Sequence, residues 1–158
     1  MNRFFLFILL LLLTSCDYFN VKKTTSEAIL EEELKTFTWN EVDEYPTFSS
    51  CDNAEVKSEK KICFQSTLSN YILEYLQQQR IVVSQDVKDT IVIAFEISND
   101  GLLNITDIKV SELTEQEIPQ ITDKIIESLD GLPKIYPAIK RGQQVKTAFK
   151  LPLKILVD

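Results

Sequence analysis

Reactive chemistry in this chain would have to start from Cys16, Cys51 and Cys63, its only thiols, because it contains no histidine. Without imidazole, the commonest neutral-pH acid-base group and the commonest nitrogen ligand for zinc are both missing. A nucleophile at Cys51 or Cys63 would therefore have no histidine base. No C-x-x-C spacing occurs, and no third thiol stands near that pair to complete a tight zinc site. Carboxylates are plentiful, 24 Asp and Glu against 17 Lys and Arg for a net charge of -7. Asp86, Asp89 and Asp100 fall near strand ends or turns, where solvation and hairpin formation explain them. No two carboxylates can be set across a cleft as glycoside hydrolysis requires, and no glycine loop could cradle a phosphate. These residue types speak against an enzyme and imply no cofactor or metal. An acidic chain without a basic run or basic-aromatic patch is also a poor ligand for nucleic acid.

The elements that would position the cysteines begin at the N-terminus. Met1 to Arg3 carries a positive charge, and Phe4 to Leu13 consists wholly of Phe, Leu and Ile. That run is too short to span a hydrocarbon core of roughly 30 Å as a helix, but it has the form of a signal-peptide apolar region. It ends in Leu13-Thr14-Ser15-Cys16, which resembles a bacterial lipobox. The resemblance implies diacylglycerol on the Cys16 sulfur, cleavage before Cys16, and commonly acylation of the new amine with a chain such as palmitate. Two or more acyl chains hold a protein stably on a membrane. An ordinary secretory signal and an uncleaved anchor are the alternatives. Asp17 does not choose between inner and outer membrane. The expected organisation is a signal peptide over 1–15, a lipidated N-terminus and linker over 16–44, and a folded domain over 45–158, lipid-anchored in a bacterial envelope and facing the periplasm.

Asp17 to about Tyr45 is weakly patterned, with Lys22, Lys23, several threonines and Glu31-Glu32-Glu33. A short helix from Ser26 to Lys35 fits there, capped by Ser26 with Leu30 and Leu34 four apart, though such a helix is marginal alone. Phe37, Trp39 and Tyr45 are more aromatic than a spacer needs. Either some of them pack onto the domain or they form a strip for a partner. Because a signal-bearing chain reaches a compartment where disulfides form, Cys51 and Cys63 read as one bridge across a polar loop. Two free thiols are the alternative.

The domain is organised around a hairpin. Ile91, Ile93, Phe95 and Ile97 alternate with Val92, Ala94 and Glu96, the period of a half-buried strand. Asp100-Gly101 supplies a turn, expected as type I′, and Leu102 to Val110 returns beside the first strand. A preceding helix of about 15 residues is read from Phe64, Leu68, Tyr71, Ile72, Tyr75 and Leu76. A following one, from Thr114 to Leu129, is read from Ile118, Ile121, Ile125 and Leu129, with Thr114 and Glu117 as a capping box. Pro119 counts against a regular early turn there, and Gly131 is placed to stop the helix. Leu132 to Arg141 reads as an irregular crossover broken at Gly142. Val145 to Val157 reads as a last strand whose odd residues belong in the core and whose Lys146, Lys150 and Lys154 belong in water. Pro152 places part of that strand at an edge or bulge. The expected fold is α+β, with two helices packed on one side of a small three-stranded antiparallel sheet.

Gly131-Leu132-Pro133-Lys134-Ile135-Tyr136-Pro137-Ala138, then Gly142, Val145 and Phe149-Lys150-Leu151-Pro152-Leu153, resemble the C-terminal domain of the TonB family. The hairpin from Phe95 to Val110 fits the preceding part of that domain. Tyr45-Pro46-Thr47-Phe48 before Cys51, with Cys63 opening a helix, is similar to the cysteine-bearing version common in Bacteroidetes. Tyr136 stands where tryptophan is frequent, and Ala138 where glycine is. The resemblance implies that an edge of the domain binds a segment of an outer-membrane transporter by strand addition. A lipid offers no helix for a membrane motor, so a full energy transducer is not expected. What is expected is a membrane-tethered, non-catalytic binding or adaptor module that contacts an envelope or outer-membrane protein. Its edge would comprise Val145, Lys146, Thr147, Phe149 and Leu151. The same strand also reads as a protected structural edge in an envelope lipoprotein that binds no peptide, since its lysines discourage pairing.

Overall fold

Residues 37–38 and 41–158 are described by the computed structural model. All the described residues belong to one compact unit, Leu34–Asp158. Cys16 and the expected Ser26–Lys35 helix lie outside the described residues. In chain order the elements are β1 (Phe37–Thr38), β2 (Thr47–Phe48), a 3-10 turn at Ser49–Cys51, α1 (Lys57–Gln78), β3 (Val87–Ile97) and β4 (Leu103–Lys109). Next come α2 (Glu112–Glu117), α3 (Ile121–Glu127), β5 (Ile135–Tyr136), β6 (Ala138–Lys140), β7 (Gln143–Val145) and β8 (Thr147–Val157).

The alternating stretch at Val87–Ile97 becomes the central strand of an α+β fold. β3 pairs antiparallel with β4 on one side and, over its whole length, with β8 on the other, from Val87↔Val157 to Ile97↔Thr147. One face carries Ile91, Ile93, Phe95, Ile97, Phe149, Leu151, Leu153 and Ile155, all buried against Phe64, Leu68, Ile72 and Leu76 of α1. Period-two alternation in two paired strands thus meets the three-to-four spacing of one helix, and burial of both apolar faces drives the packing. The expected three-stranded antiparallel sheet is present, but β1 adds a fourth, parallel strand to the outer side of β8, Phe37↔Thr147 and Thr38↔Ala148. β2 pairs with β5 and β6 with β7, so the stretch expected to be an irregular crossover holds two short ladders.

Several boundaries differ from expectation, each for a local reason. α1 starts at Lys57, so the second half of the polar stretch between the cysteines is helical. Lys, Glu and Ser there are adequate helix residues, and Glu59 in the first turn suits the helix dipole. The expected Thr114–Leu129 helix is two short ones, α2 and α3. Ser111, not Thr114, is the N-cap, its hydroxyl accepting from the Thr114 N–H at 3.2 Å. Ile118 leaves the helix at φ -131, ψ 70, as expected of a residue whose successor is Pro119.

The hairpin turn is not type I′. Only Gly101 has positive φ, at 89°, and Ser98 N–H donates to the Leu102 carbonyl at 2.9 Å across a three-residue loop. A Cβ at Gly101 would lie 2.2 Å from the Ile135 carbonyl oxygen, so both backbone angle and close approach demand glycine. Type I′ geometry occurs instead between β6 and β7, where Arg141 (φ 51°) and Gly142 (φ 76°) join Lys140 to Gln143.

Candidate functional site at the outer edge of the last strand

β8 holds most of the residues expected at a binding edge, and which of its backbone groups face outward is set by the register. On β3, the Thr90 N–H donates to Asp89 Oδ1 and the Ala94 carbonyl accepts from Thr106 Oγ1 of β4. The even residues of β3 therefore direct their backbone groups away from β8. Their partners across the ladder, Thr90↔Lys154, Val92↔Pro152, Ala94↔Lys150 and Glu96↔Ala148, must direct theirs away from β3, since facing residues of an antiparallel pair either exchange bonds or both turn outward. Pro152 fits this rule, for its missing N–H then costs the sheet nothing. The outward donors of β8 are those of Ala148, Lys150, Lys154 and Leu156. Ala148 lies in register with Thr38 of β1. Among the described residues no strand covers the others.

Two grooves lie at the C-terminal end of this stretch, from Lys154 onward. One, of about 400 Å³, runs between the end of α1 and the end of β8 and is lined by Leu73, Leu76, Ile81, Ile121, Ile155 and Val157 among others. The second, of about 620 Å³, lies over Lys88, Asp89, Thr90, Lys154, Ile155 and Leu156. Lys150 and Lys154 are exposed with no acidic partner among the described residues, and Leu156 is 70% exposed. An extended segment laid along the end of β8 would alternate its side chains between the apolar groove and the lysine-bearing face.

The expected edge residues are distributed differently. Val145 ends β7, opposite Ala138, and is not part of the last strand. Lys146 falls in the break between β7 and β8 and forms an ion pair with Glu96 at 3.3 Å. Thr147 starts β8 fully buried, beside Phe37. Phe149 and Leu151 are core residues. The Phe149 ring stacks on Phe95 at 5.2 Å and meets Phe64 edge-on at 5.7 Å. Their side chains are thus committed inward, and Lys150, Lys154 and Leu156 are the ones on the open side. The alternation of the strand and its proline carried that information, but only once pairing identified the free side.

Cys51 and Cys63 are joined, with an S–S distance of 2.00 Å, tying the 3-10 turn to the second turn of α1. Tyr45 packs against the core and lies under Lys57 Nζ at 4.8 Å, while Phe48 is buried and stacked on Phe64. Trp39 lies outside the described residues. Among the described residues, no cluster of three or more metal-ligating side chains is present.

Four carboxylates, Asp43, Asp89, Asp100 and Glu117, are held by hydrogen bonds within the fold. Burial alone would raise the Asp89 carboxyl, but hydrogen bonds from Thr114 Oγ1 at 2.6 Å and from the Ser111 and Thr90 N–H groups outweigh it and hold it below its ordinary value. The Gln85 side chain and Ser84 lower Glu117, whose expected capping role is replaced by pinning the loop before β3. Arg141 N–H and Lys140 lower Asp43, and the Ser98 hydroxyl lowers Asp100. For each group the folded value lies below the unfolded one, so the folded state binds fewer protons. The stabilisation is complete above the ordinary carboxylate range near pH 4 and is lost as pH falls through the depressed values. With no histidine, no side chain of ordinary pKa titrates between about pH 5.5 and 8. Urea midpoints measured from pH 2 to 8 should be flat across that neutral window and fall steeply below about pH 4.

No protein-family model, curated protein or solved structure matches the chain.

Proposed function

We propose that this chain is a lipid-anchored, periplasm-facing protein-binding or adaptor module of a bacterial envelope, non-catalytic and built on a TonB C-terminal-like domain. Cys16 is its acylation site. The observation that carries the binding role is the row of outward backbone groups at Lys150, Lys154 and Leu156, with two grooves at its Lys154–Leu156 end and with lysines that have no acidic partner among the described residues. Such an edge supports strand addition, in which backbone bonds supply affinity and the grooves at its end supply selectivity. The exposed lysines favour an extended segment that carries acidic side chains on one face and apolar ones on the other. An envelope or outer-membrane protein, including a TonB-dependent transporter, is the partner class that the family resemblance supports.

The test is photocrosslinking in the native envelope from a probe at Leu156, in the otherwise native chain and with Lys154→Pro. That proline removes an outward N–H and leaves the β3 ladder intact. We expect an envelope protein captured by the first and at least fivefold less by the second, with both chains equally folded. Cys16→Ser should move the chain from the membrane pellet to the soluble fraction. Equal capture with and without the proline would overturn strand addition, and no specific capture would leave a second reading. That reading, a structural envelope lipoprotein without peptide binding, is favoured by β1 at Ala148 and by Pro152 in mid-edge.

A further inference from the structure

Strand β1 holds the position that an incoming strand on β8 would take first. We infer that Phe37–Thr38 is a built-in occupant of the β8 edge, which a partner strand must displace before it can pair from Ala148 onward. This inference rests on the strand-addition reading above and concerns how that edge is regulated.

Three observations carry it. The first is the register: Thr38 is opposite Ala148, the first of the outward-facing residues of β8, so a partner spanning Ala148 to Leu156 competes for the same backbone groups.

The second is the contrast between β1 and the firmly held chain beyond it. β1 is a two-residue parallel ladder, whereas the chain is clamped from Val42 onward. Val42 is 2% exposed and its carbonyl accepts from Lys57 Nζ at 2.5 Å. The Asp43 and Glu44 N–H groups donate to the Ile139 carbonyl at 2.8 and 3.0 Å, and Asp43 Oδ2 accepts from the Arg141 N–H at 2.6 Å. A segment so short opens at little cost, yet the nearby clamp keeps it at an effective concentration on the order of millimolar. That combination makes β1 a competitor that always returns and never locks.

The third is Thr147 Oγ1, buried without a hydrogen-bond partner among the described residues at the position opposite Phe37. A buried unpaired hydroxyl at this position costs free energy in the arrangement with β1 in place.

The gate predicts that the cis segment also defines a ligand. A segment of the same sequence supplied in trans should bind once β1 is removed. The probe is a fluorescein-labelled heptapeptide Leu-Lys-Thr-Phe-Thr-Trp-Asn, the sequence of residues 34–40, titrated against the full chain with its disulfide formed. The same titration uses the variant carrying both Phe37→Pro and Thr38→Pro, which cannot donate from β1. Amide exchange at Ala148 is measured in parallel, since its N–H faces β1.

We expect the variant to bind the peptide about tenfold tighter than the native chain, the factor for a millimolar cis competitor whose own dissociation constant is near 0.1 mM. Ala148 exchange should be faster in the peptide-free variant and slow again with peptide bound. A second variant, Phe37→Gly with Thr38→Gly, keeps the donors and lowers strand propensity. It should bind with intermediate affinity, and it carries the test if the proline variant loses its cooperative urea transition. Equal peptide affinity in all three chains would overturn the gate while leaving an accessible edge. No binding by any of them would also overturn the gate. The strand-addition reading is then decided separately by the Leu156 crosslink, which does not use this peptide.

Discussion

Replacing Phe64 by alanine is expected to remove about 3–5 kcal/mol of folding stability, a large share of the roughly 5–15 kcal/mol typical of a domain. Phe64 is fully buried, stacks on Phe48 at 4.9 Å and meets Phe149 edge-on at 5.7 Å. It therefore joins α1, the β2 segment and the last strand at one point. Truncation removes the transfer energy of the ring and leaves a cavity that the strands on either side cannot close, because β3 and β8 are held in register along their whole length. The control is Ile62→Ala, two residues away on the same helix with Ile62 64% exposed, which should change stability by no more than about 0.5 kcal/mol. Urea unfolding of both variants at neutral pH measures the difference, and equal midpoints would mean that the apolar face of α1 is not packed against the sheet.

Reduction of the Cys51–Cys63 bridge should cost about 2–4 kcal/mol. The cysteines are 12 residues apart, and closing a loop of that size restricts the unfolded chain by roughly 3 kcal/mol in the loop-entropy description. The bridge also holds the 3-10 turn directly after Phe48, and Phe48 in turn covers the Phe64 ring. The effects of reduction and of Phe64→Ala should therefore sum to less than their separate values, since both release the same Phe48 contact. Urea midpoints with and without reductant, in the native chain and in Phe64→Ala, give the full cycle. A chain carrying Cys51→Ser and Cys63→Ser should be insensitive to reductant and should match the reduced native chain. A midpoint unmoved by reduction would show that the turn is held by β2 and β5 pairing alone.

The two perturbations meet at the segment that leads into the candidate edge. Loosening Phe48 or the bridge weakens the anchoring of residues 42–51, and with it the clamp that keeps Phe37–Thr38 beside β8. Stability of the N-terminal attachment and accessibility of the last strand are in this way the same physical question.

Much of the site's setting was legible in the residues. Pro152 marked an edge because proline cannot donate to a ladder, and the structure has it facing away from β3. The pattern around Ile91 to Ile97 identified the buried face, and the odd residues of the last strand identified its complement. Val145 and Lys146 were harder to place. Nothing local distinguishes a continuous strand from β7 and β8 with a break between them, because the difference is whether Val145 pairs with Ala138 or joins β8. The turn at Asp100-Gly101 was misread for a similar reason. An Asp-Gly pair suits type I′ geometry, but the loop is closed by Ser98 and Leu102 and packs under Ile135, a residue far along the chain.

By itself the sequence determined which residues avoid water, where the chain turns, that one pair of cysteines could bridge and that histidine chemistry is absent. These conclusions rest on side-chain chemistry and short-range periodicity, which every local stretch carries in full. Only the tertiary structure decided which side of β8 has no partner strand among the described residues beyond Ala148, that Phe37–Thr38 pairs with its start, and that Lys150, Lys154 and Leu156 are the outward-facing positions. The physical reason is that a strand's free edge is defined by the partners it lacks. Backbone donors are alike in every residue but proline, so the pairing that consumes or spares them is a property of the assembled sheet.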